Sequence, residues 1–177
     1  MTVFNGRPDD FEGRIEQERR SYELLDALGI EYTRCDHDEA NSIEVCLERT
    51  QVLGTRICKN LFLCNRQETA FYLLCMPADK QFKTSVVSSQ LGVARLHFAP
   101  EERMTELLNL HPGSVSVLGL MYDSENRVRL LVDREVSEQE FFACHPCINT
   151  SSLKFKTADL FKRLLPAMHH EPTLVEI

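Results

Sequence analysis

Ile57–Cys64, which reads ICKNLFLC, and Ala70–Met76, which reads AFYLLCM, are two apolar runs of strand length separated by the polar turn Asn65-Arg66-Gln67-Glu68. Apolar runs bounded by a polar turn predict a β-hairpin. Upstream, Ile15, Tyr22, Leu25 and Leu28 lie on one helical stripe, and Gly29 follows where a helix would stop. A short extended segment is expected near Glu31–Asp36, then a second helix from about Ser42 to Val52. Downstream, the pattern predicts a helix around Ser85–Leu91, a short strand at Ala94–Phe98 and a helix after Pro100. A second hairpin is expected from Val115–Tyr122, the turn Asp123-Ser124-Glu125-Asn126 and Arg127–Asp133. In its last strand Val128, Leu130 and Val132 alternate with Arg127, Arg129 and Asp133, while Leu131 breaks the pattern. Near the end, Thr157 is expected to cap a helix carrying Leu160, Phe161, Leu164 and Leu165 that stops at Pro166. Hairpins interleaved with helices imply a mixed α/β (α+β) fold, with a largely antiparallel mixed sheet and helices packed on it. Regular strand–helix alternation and a Gly-rich strand–turn–helix are both missing, which disfavours a dinucleotide fold.

At 177 residues the chain fits one domain, 1–177, since no linker or repeat divides it. Its 43% hydrophobic and 27% charged residues match an ordinary globular protein. The longest apolar runs are far too short to span a bilayer, and Met1–Pro8 does not read as a secretory signal. The seven cysteines, at 35, 46, 58, 64, 75, 144 and 147, are odd in number and often sit inside apolar runs. That is the usage of small buried thiols rather than of a disulfide framework, and it predicts a cytoplasmic protein. A net charge of −7 argues against coating DNA or any long nucleic acid through its phosphates, which needs clustered Lys and Arg. It leaves room for a small site that grips only the end of a nucleic acid.

Cys144-His145-Pro146-Cys147 has the spacing of a zinc or dithiol pair. A structural zinc needs four ligands, and no second close pair is evident, so incidental cysteines flanking a His-Pro turn are the better reading. His169-His170 point in different directions on any regular element, and an exposed tail is expected there. Signatures of zinc proteases, serine hydrolases and P-loop proteins are absent. Lys59, set in an apolar strand, must reach solvent or a cleft, because burying an unpaired ammonium is costly. By pattern alone a surface lysine is the default. His111-Pro112-Gly113-Ser114-Val115-Ser116-Val117 is a Pro-Gly turn feeding a strand, with small residues that let backbone N–H groups approach a ligand. Such groups can stabilise an oxyanion without a side-chain nucleophile, although an ordinary strand-entry turn reads the same.

Taken in order, several segments resemble the YbaK-type aminoacyl-tRNA deacylase family, in particular its free-standing branch related to the prolyl-tRNA synthetase editing domain. They are KNLFL at 59–63, Pro77-Ala78-Asp79-Lys80, Ser89-Gln90-Leu91-Gly92, Arg95-Leu96-His97-Phe98-Ala99, PGSVS at 112–116, Leu131-Val132-Asp133 and HPCINT at 145–150. The likeness runs from about residue 20 to the C-terminus. It implies a bent, partly barrel-like sheet, no metal and no organic cofactor. It also implies hydrolysis of the ester joining a wrong amino acid to the terminal adenosine of tRNA, typically alanine on the proline tRNA. A proline-sized pocket rejects a smaller apolar residue by only about 1–3 kcal/mol per methylene, so a second sieve is needed.

Position by position, the resemblance makes Lys59 the functional lysine that holds the terminal nucleotide, with Asn60 ordering the site beside it. Gly113, Ser114, Val115 and Ser116 match the glycine loop whose backbone faces the acyl carbonyl, and His145 and Asn149 match the segment lining the pocket. Water would be the nucleophile. The family's loop commonly continues into a proline where this chain has Val117-Leu118, which bears on the shape of the pocket. Two other readings stand beside this one: removal of another small residue (serine, cysteine or glycine), or a non-catalytic module that binds an amino acid or aminoacyl-tRNA. The tRNA acceptor end is the expected partner, with no membrane and no DNA. A partnership with prolyl-tRNA synthetase is suggested by the resemblance alone.

Overall fold

A computed structural model describes residues 2–39 and 43–177, and the side chains of 43–47 lie outside that description, as does the expected helix start at Ser42. The strands are β1 (Val3–Asn5), β2 (Tyr32–Asp36), β3 (Cys58–Cys64), β4 (Phe71–Pro77), β5 (His97–Phe98), β6 (Val128–Asp133), β7 (Phe141–Cys144), β8 (Ser151–Lys156) and β9 (Pro172–Val175). The helices are α1 (Glu16–Ala27), α2 (Ile43–Leu53), α3 (Thr84–Leu91), α4 (Glu101–Leu108), α5 (Arg134–Glu138) and α6, a helical run over 157–167. The strands form two sheets, ordered β1-β2-β8-β7 and β5-β3-β4-β6-β9. The fold is mixed α/β, as expected.

The first hairpin is present: β3 and β4 pair antiparallel from Cys58↔Pro77 to Cys64↔Phe71. In the turn, Asn65 Oδ1 accepts from the N–H groups of Thr69 (2.8 Å) and Ala70 (3.1 Å). The second hairpin is not. Val117–Tyr122 is a 3-10 turn, and β6 pairs parallel with β4 and with β9. Val117, Leu118, Gly119 and Leu120 are all buried, so no alternation distinguished helical turn from strand there. The Ser116 hydroxyl caps the turn by accepting from Leu118 N–H at 3.2 Å.

The parallel pairing also accounts for Leu131. One face of the five-stranded sheet carries Phe62, Leu73, Cys75, Leu130 and Val132 into the main core, against α1, α4, α6 and the other sheet. The opposite face buries Leu63, Leu74, Met76 and Leu131 beneath Val87 and Leu96. A sheet covered on both faces has strands that are apolar throughout, and every residue of β4 is buried. Asp133 ends β6 at 1% exposure. Its Oδ1 caps α5 by accepting from Glu135 N–H at 2.9 Å, and its Oδ2 accepts from Lys80 Nζ at 2.9 Å.

The C-terminal third departs from expectation in three further ways. Thr157 is the first residue of α6 rather than its cap, the cap position being Lys156. Pro166 does not stop the helix. A π turn over Leu160–Leu164 precedes it, and it sits in the first positions of a new turn, where its missing N–H costs little. His170 is not in an exposed tail. It is 6% exposed and its Nε2 is hydrogen-bonded to Asp123 Oδ2 at 2.9 Å, and β9, which follows it, pairs alongside β6. In α1, Tyr22 and Leu25 are buried as the stripe requires, while Ile15 lies exposed just before the helix.

Candidate functional site

Two loops meet. The glycine loop, 111–116, links α4 to the 3-10 turn, and the 145–150 loop joins β7 to β8, a hairpin missed in the sequence because its two runs are short and polar in part. Gly113 has φ +85°, a conformation that L side chains rarely adopt, and a Cβ there would lie 3.5 Å from Asn149 Nδ2. The Ser114 hydroxyl donates to the His111 carbonyl at 2.8 Å, and the Ser114 N–H donates to the same oxygen at 3.1 Å, closing the turn. Ser116 donates to the carbonyl of His145 at 2.6 Å. The second loop is braced by Cys147, a non-glycine residue at φ +61° whose thiol accepts from Ser21 Oγ at 3.4 Å. A cleft of 260 Å³ runs along the junction, with Ser114 and Asn149 in its wall and Val115 packed beneath.

Among the described residues the His145 ring is held by one hydrogen bond, Nδ1 to the Ser151 carbonyl at 2.7 Å. A carbonyl only accepts, so Nδ1 carries the proton and Nε2 is left as an acceptor. Burial, assisted by Arg49 and His37, pushes its pKa down to about 4, and the ring is neutral at physiological pH. His37 stands across from it, ring centroids 6.1 Å apart, with Nδ1 on the Asp38 carbonyl (2.7 Å) and Nε2 on Ser152 Oγ (2.9 Å). Its pKa is also lowered, chiefly by burial. His37 and Arg49 were not singled out in the sequence, where each is a lone polar residue beside a charged stretch.

Lys59 and Asn60 are split by the pleat of β3, since successive residues face opposite sides of a sheet. Asn60 shares a face with Cys58 and Phe62, the side of the main core and of the two loops. Its Oδ1 accepts from the Cys75 thiol at 2.9 Å; Cys75 lies near Cys144, whose thiol neighbours Ser116. Lys59 shares the other face with Leu61 and Leu63, and its Nζ donates to the carbonyl of Lys80. Lys80 is in turn held by Asp133 and Glu135. The structure therefore brings Gly113, Ser114, Val115, Ser116, His145 and Asn149 together, sets Asn60 behind them, and places Lys59 around the edge of the same strand. Cys144 and Cys147 are buried free thiols with pKa values raised by burial, Cys147 to about 12, as incidental packing cysteines would be. Among the described residues, no group of three His, Cys, Asp or Glu side chains is arranged to hold a metal. Among the same residues, no helix is long and apolar enough to cross a membrane.

Comparison with known proteins identifies the family. The family described as the aminoacyl-tRNA editing domain matches residues 37–163, from His37 past both loops. The prolyl-tRNA editing protein ProX of Acetoanaerobium sticklandii is 30% identical over 139 residues, covering 78% of this chain and 84% of that one. The prolyl-tRNA synthetase associated domain-containing protein 1 of Danio rerio is 29% identical over 163 residues, covering 91% of this chain and 88% of its own. Its Mus musculus counterpart is 30% identical over 166 residues, with 92% and 95% covered. Among solved structures, a protein proposed as a trans-editing enzyme for prolyl tRNA synthetase superposes with a TM-score of 0.65 at 15% identity, over 93% of this chain and 99% of that one.

Proposed function

The chain belongs to the aminoacyl-tRNA editing domain family, and from that premise we propose that it acts in trans on mischarged tRNA, removing alanine from the proline tRNA. Family membership sets the reaction class: an aminoacyl-tRNA deacylase is an ester hydrolase. The observation that carries the finer reading is the junction of the two loops, where Ser116 bonds to His145 and Gly113 faces Asn149. A small cleft with Ser114 and Asn149 in its wall opens beside it, which supports seating the acyl group there.

In this reading the ester carbonyl lies against the glycine loop. The Ser114 N–H is already committed to His111, so the N–H groups of Gly113, Val115 and Ser116 are the ones that stabilise the oxyanion. Water adds to the carbonyl carbon, the bond to the ribose oxygen breaks, and that oxygen takes the proton that water gives up. His145 Nε2, unprotonated, accepts from a ribose hydroxyl or from the amino group of the substrate. Asn149 closes the pocket beside Gly113, Asn60 orders it from behind, and Lys59 takes the phosphate of the terminal nucleotide. In this reading the pocket serves as the second sieve, admitting alanine and rejecting proline. Prolyl-tRNA synthetase is the partner that would release the substrate.

A second reading keeps the chemistry and moves the acyl group to serine, cysteine or glycine. It is favoured by Val117, which stands where the family commonly has proline. Val117 is fully buried, so its effect on the pocket passes through the backbone of the loop. The test is deacylation of alanyl-tRNA for proline, with prolyl-tRNA and seryl-tRNA in parallel and Lys59→Ala as control. Loss of alanine alone, abolished in the variant, supports the first reading, and loss of a different residue supports the second. If no substrate turns over, the protein is a binding module.

A further inference from the structure

We propose that the face of the sheet carrying Lys59 continues into a stacking groove for the unpaired nucleotides that precede the terminal adenosine. The proposal rests on the editing function above and extends it along the tRNA. An open groove of 640 Å³ lies beside the start of α3, lined by Phe82, Lys83, Thr84, Ser85, Arg95 and Phe98 together with Ser88. Phe98 is the most exposed large apolar side chain among the described residues, at 62%. Its ring meets Phe82 edge-on with centroids 5.9 Å apart. Phe82 is partly buried against the second core, and the exposed Phe98 ring set against it forms a platform that packing alone does not require.

The charge around the platform is the second observation. The chain has 27 acidic residues against 20 Lys and Arg, yet among the described residues no Asp or Glu lines this groove. Most described arginines are paired with carboxylates, including Arg7, Arg14, Arg34, Arg56, Arg103, Arg127, Arg134 and Arg163. Lys83 and Arg95 form no ion pair with a described residue. Aromatic faces flanked by uncompensated cations are what single-stranded nucleic acid requires, because bases stack and phosphates need countercharge. An acidic peptide would use the cations and leave the rings idle.

The register joins the groove to the site. Phe98 pairs with Leu63, so its side chain stands on the face shared by Leu63, Leu61 and Lys59. Lys59 is four residues along β3 from Leu63, roughly 13 Å. Lys59 also bonds to the carbonyl of Lys80, two residues before Phe82. A strand whose terminal phosphate sits on Lys59 would run directly onto Phe82 and Phe98. The acyl group would turn around the edge of β3 toward Asn60 and the glycine loop.

The test uses the full chain and two readouts. Binding of a labelled single-stranded RNA ending in CCA is followed by anisotropy across a salt series, for the wild type, Phe98→Ala and Lys83→Gln/Arg95→Gln. Deacylation is measured in parallel on aminoacyl-tRNA and on aminoacyl-adenosine, which lacks the upstream nucleotides. Phe98→Ala is expected to weaken RNA binding about tenfold, as loss of one base stack does. The double variant is expected to lower the slope of log K against log salt by about 1.4, for two phosphates of a single strand. In both variants the rise in KM on tRNA should exceed any change on aminoacyl-adenosine by about tenfold. Unchanged RNA binding in both variants, or equal losses on the two substrates, would overturn the proposal, as would an acidic peptide that binds with the same dependence on Phe98. A wild type that binds RNA through these residues but hydrolyses neither substrate would leave the groove in place and remove the editing function.

Discussion

The Ser116 hydroxyl donates a 2.6 Å hydrogen bond to the carbonyl of His145, and the same oxygen accepts from Leu118 N–H at 3.2 Å. One fully buried side chain thus ties the glycine loop to the loop that carries the histidine. Ser116→Ala leaves both backbone groups without this partner in a dry environment. It is expected to cost about 1–3 kcal/mol of stability, read as a shift in denaturant midpoint. Deacylation should fall further than the fraction unfolded explains, because the two halves of the cleft lose their register.

Two glycines separate conformational strain from crowding. At Gly113 a methyl group has room, 3.5 Å from Asn149, but φ is +85°. Gly113→Ala should cost about 1–2 kcal/mol through the backbone and should depress kcat by moving the N–H groups. At Gly119 the added Cβ would stand 2.6 Å from Leu110 Cδ1. Gly119→Ala should destabilise by about 1–3 kcal/mol through overpacking. Equal kinetic damage from both variants at matched stability would argue against a backbone role for Gly113.

The pH dependence of stability follows from His145. In the unfolded chain the imidazole takes its proton near 6.5, and in the fold only at about 4. Between these values the unfolded state binds more protons, so stability falls as pH falls through that window. Glu18, whose carboxyl is raised by burial, works in the opposite direction. The clean measurement is therefore a difference: His145→Gln should lose less stability than the wild type between pH 6.5 and 4. Parallel curves would mean that the ring is not held neutral by the fold.

His170 anchors the C-terminal strand. Its two ring nitrogens face the Met168 carbonyl (2.6 Å) and Asp123 Oδ2 (2.9 Å). Asp123 is 4% exposed and also accepts from the N–H groups of Arg127 (2.9 Å) and Val128 (2.8 Å). His170→Ala is expected to cost about 1–3 kcal/mol, the cost of removing one partner of a buried hydrogen bond, while two backbone donors still hold the carboxylate. Thermal melting reads the loss, and hydrogen exchange should show β9 opening first.

Some of this was written locally. The runs 57–64 and 70–76, with Asn65 between them, specify a hairpin by themselves, because the apolar stretches and the turn chemistry lie in adjacent residues. The stripe of Tyr22 and Leu25, the α3 helix ending at Gly92 and the short strand before Pro100 are legible for the same reason. The sequence also carried the family signature that put Gly113, Ser116, His145 and Asn149 on one list. Other features depend on neighbours far along the chain. Whether Val117–Tyr122 is strand or turn was decided by burial on every side, which erases periodicity. The burial of Leu131 was decided by α3 and Leu96 covering the second face of the sheet, and that of His170 by a carboxylate 47 residues away. Likewise, only the pleat of β3 within the assembled sheets assigns Asn60 to the side of the main core and Lys59 to the side of Phe98. Adjacent residues in a strand point to opposite faces, and what lies on each face is set by tertiary packing.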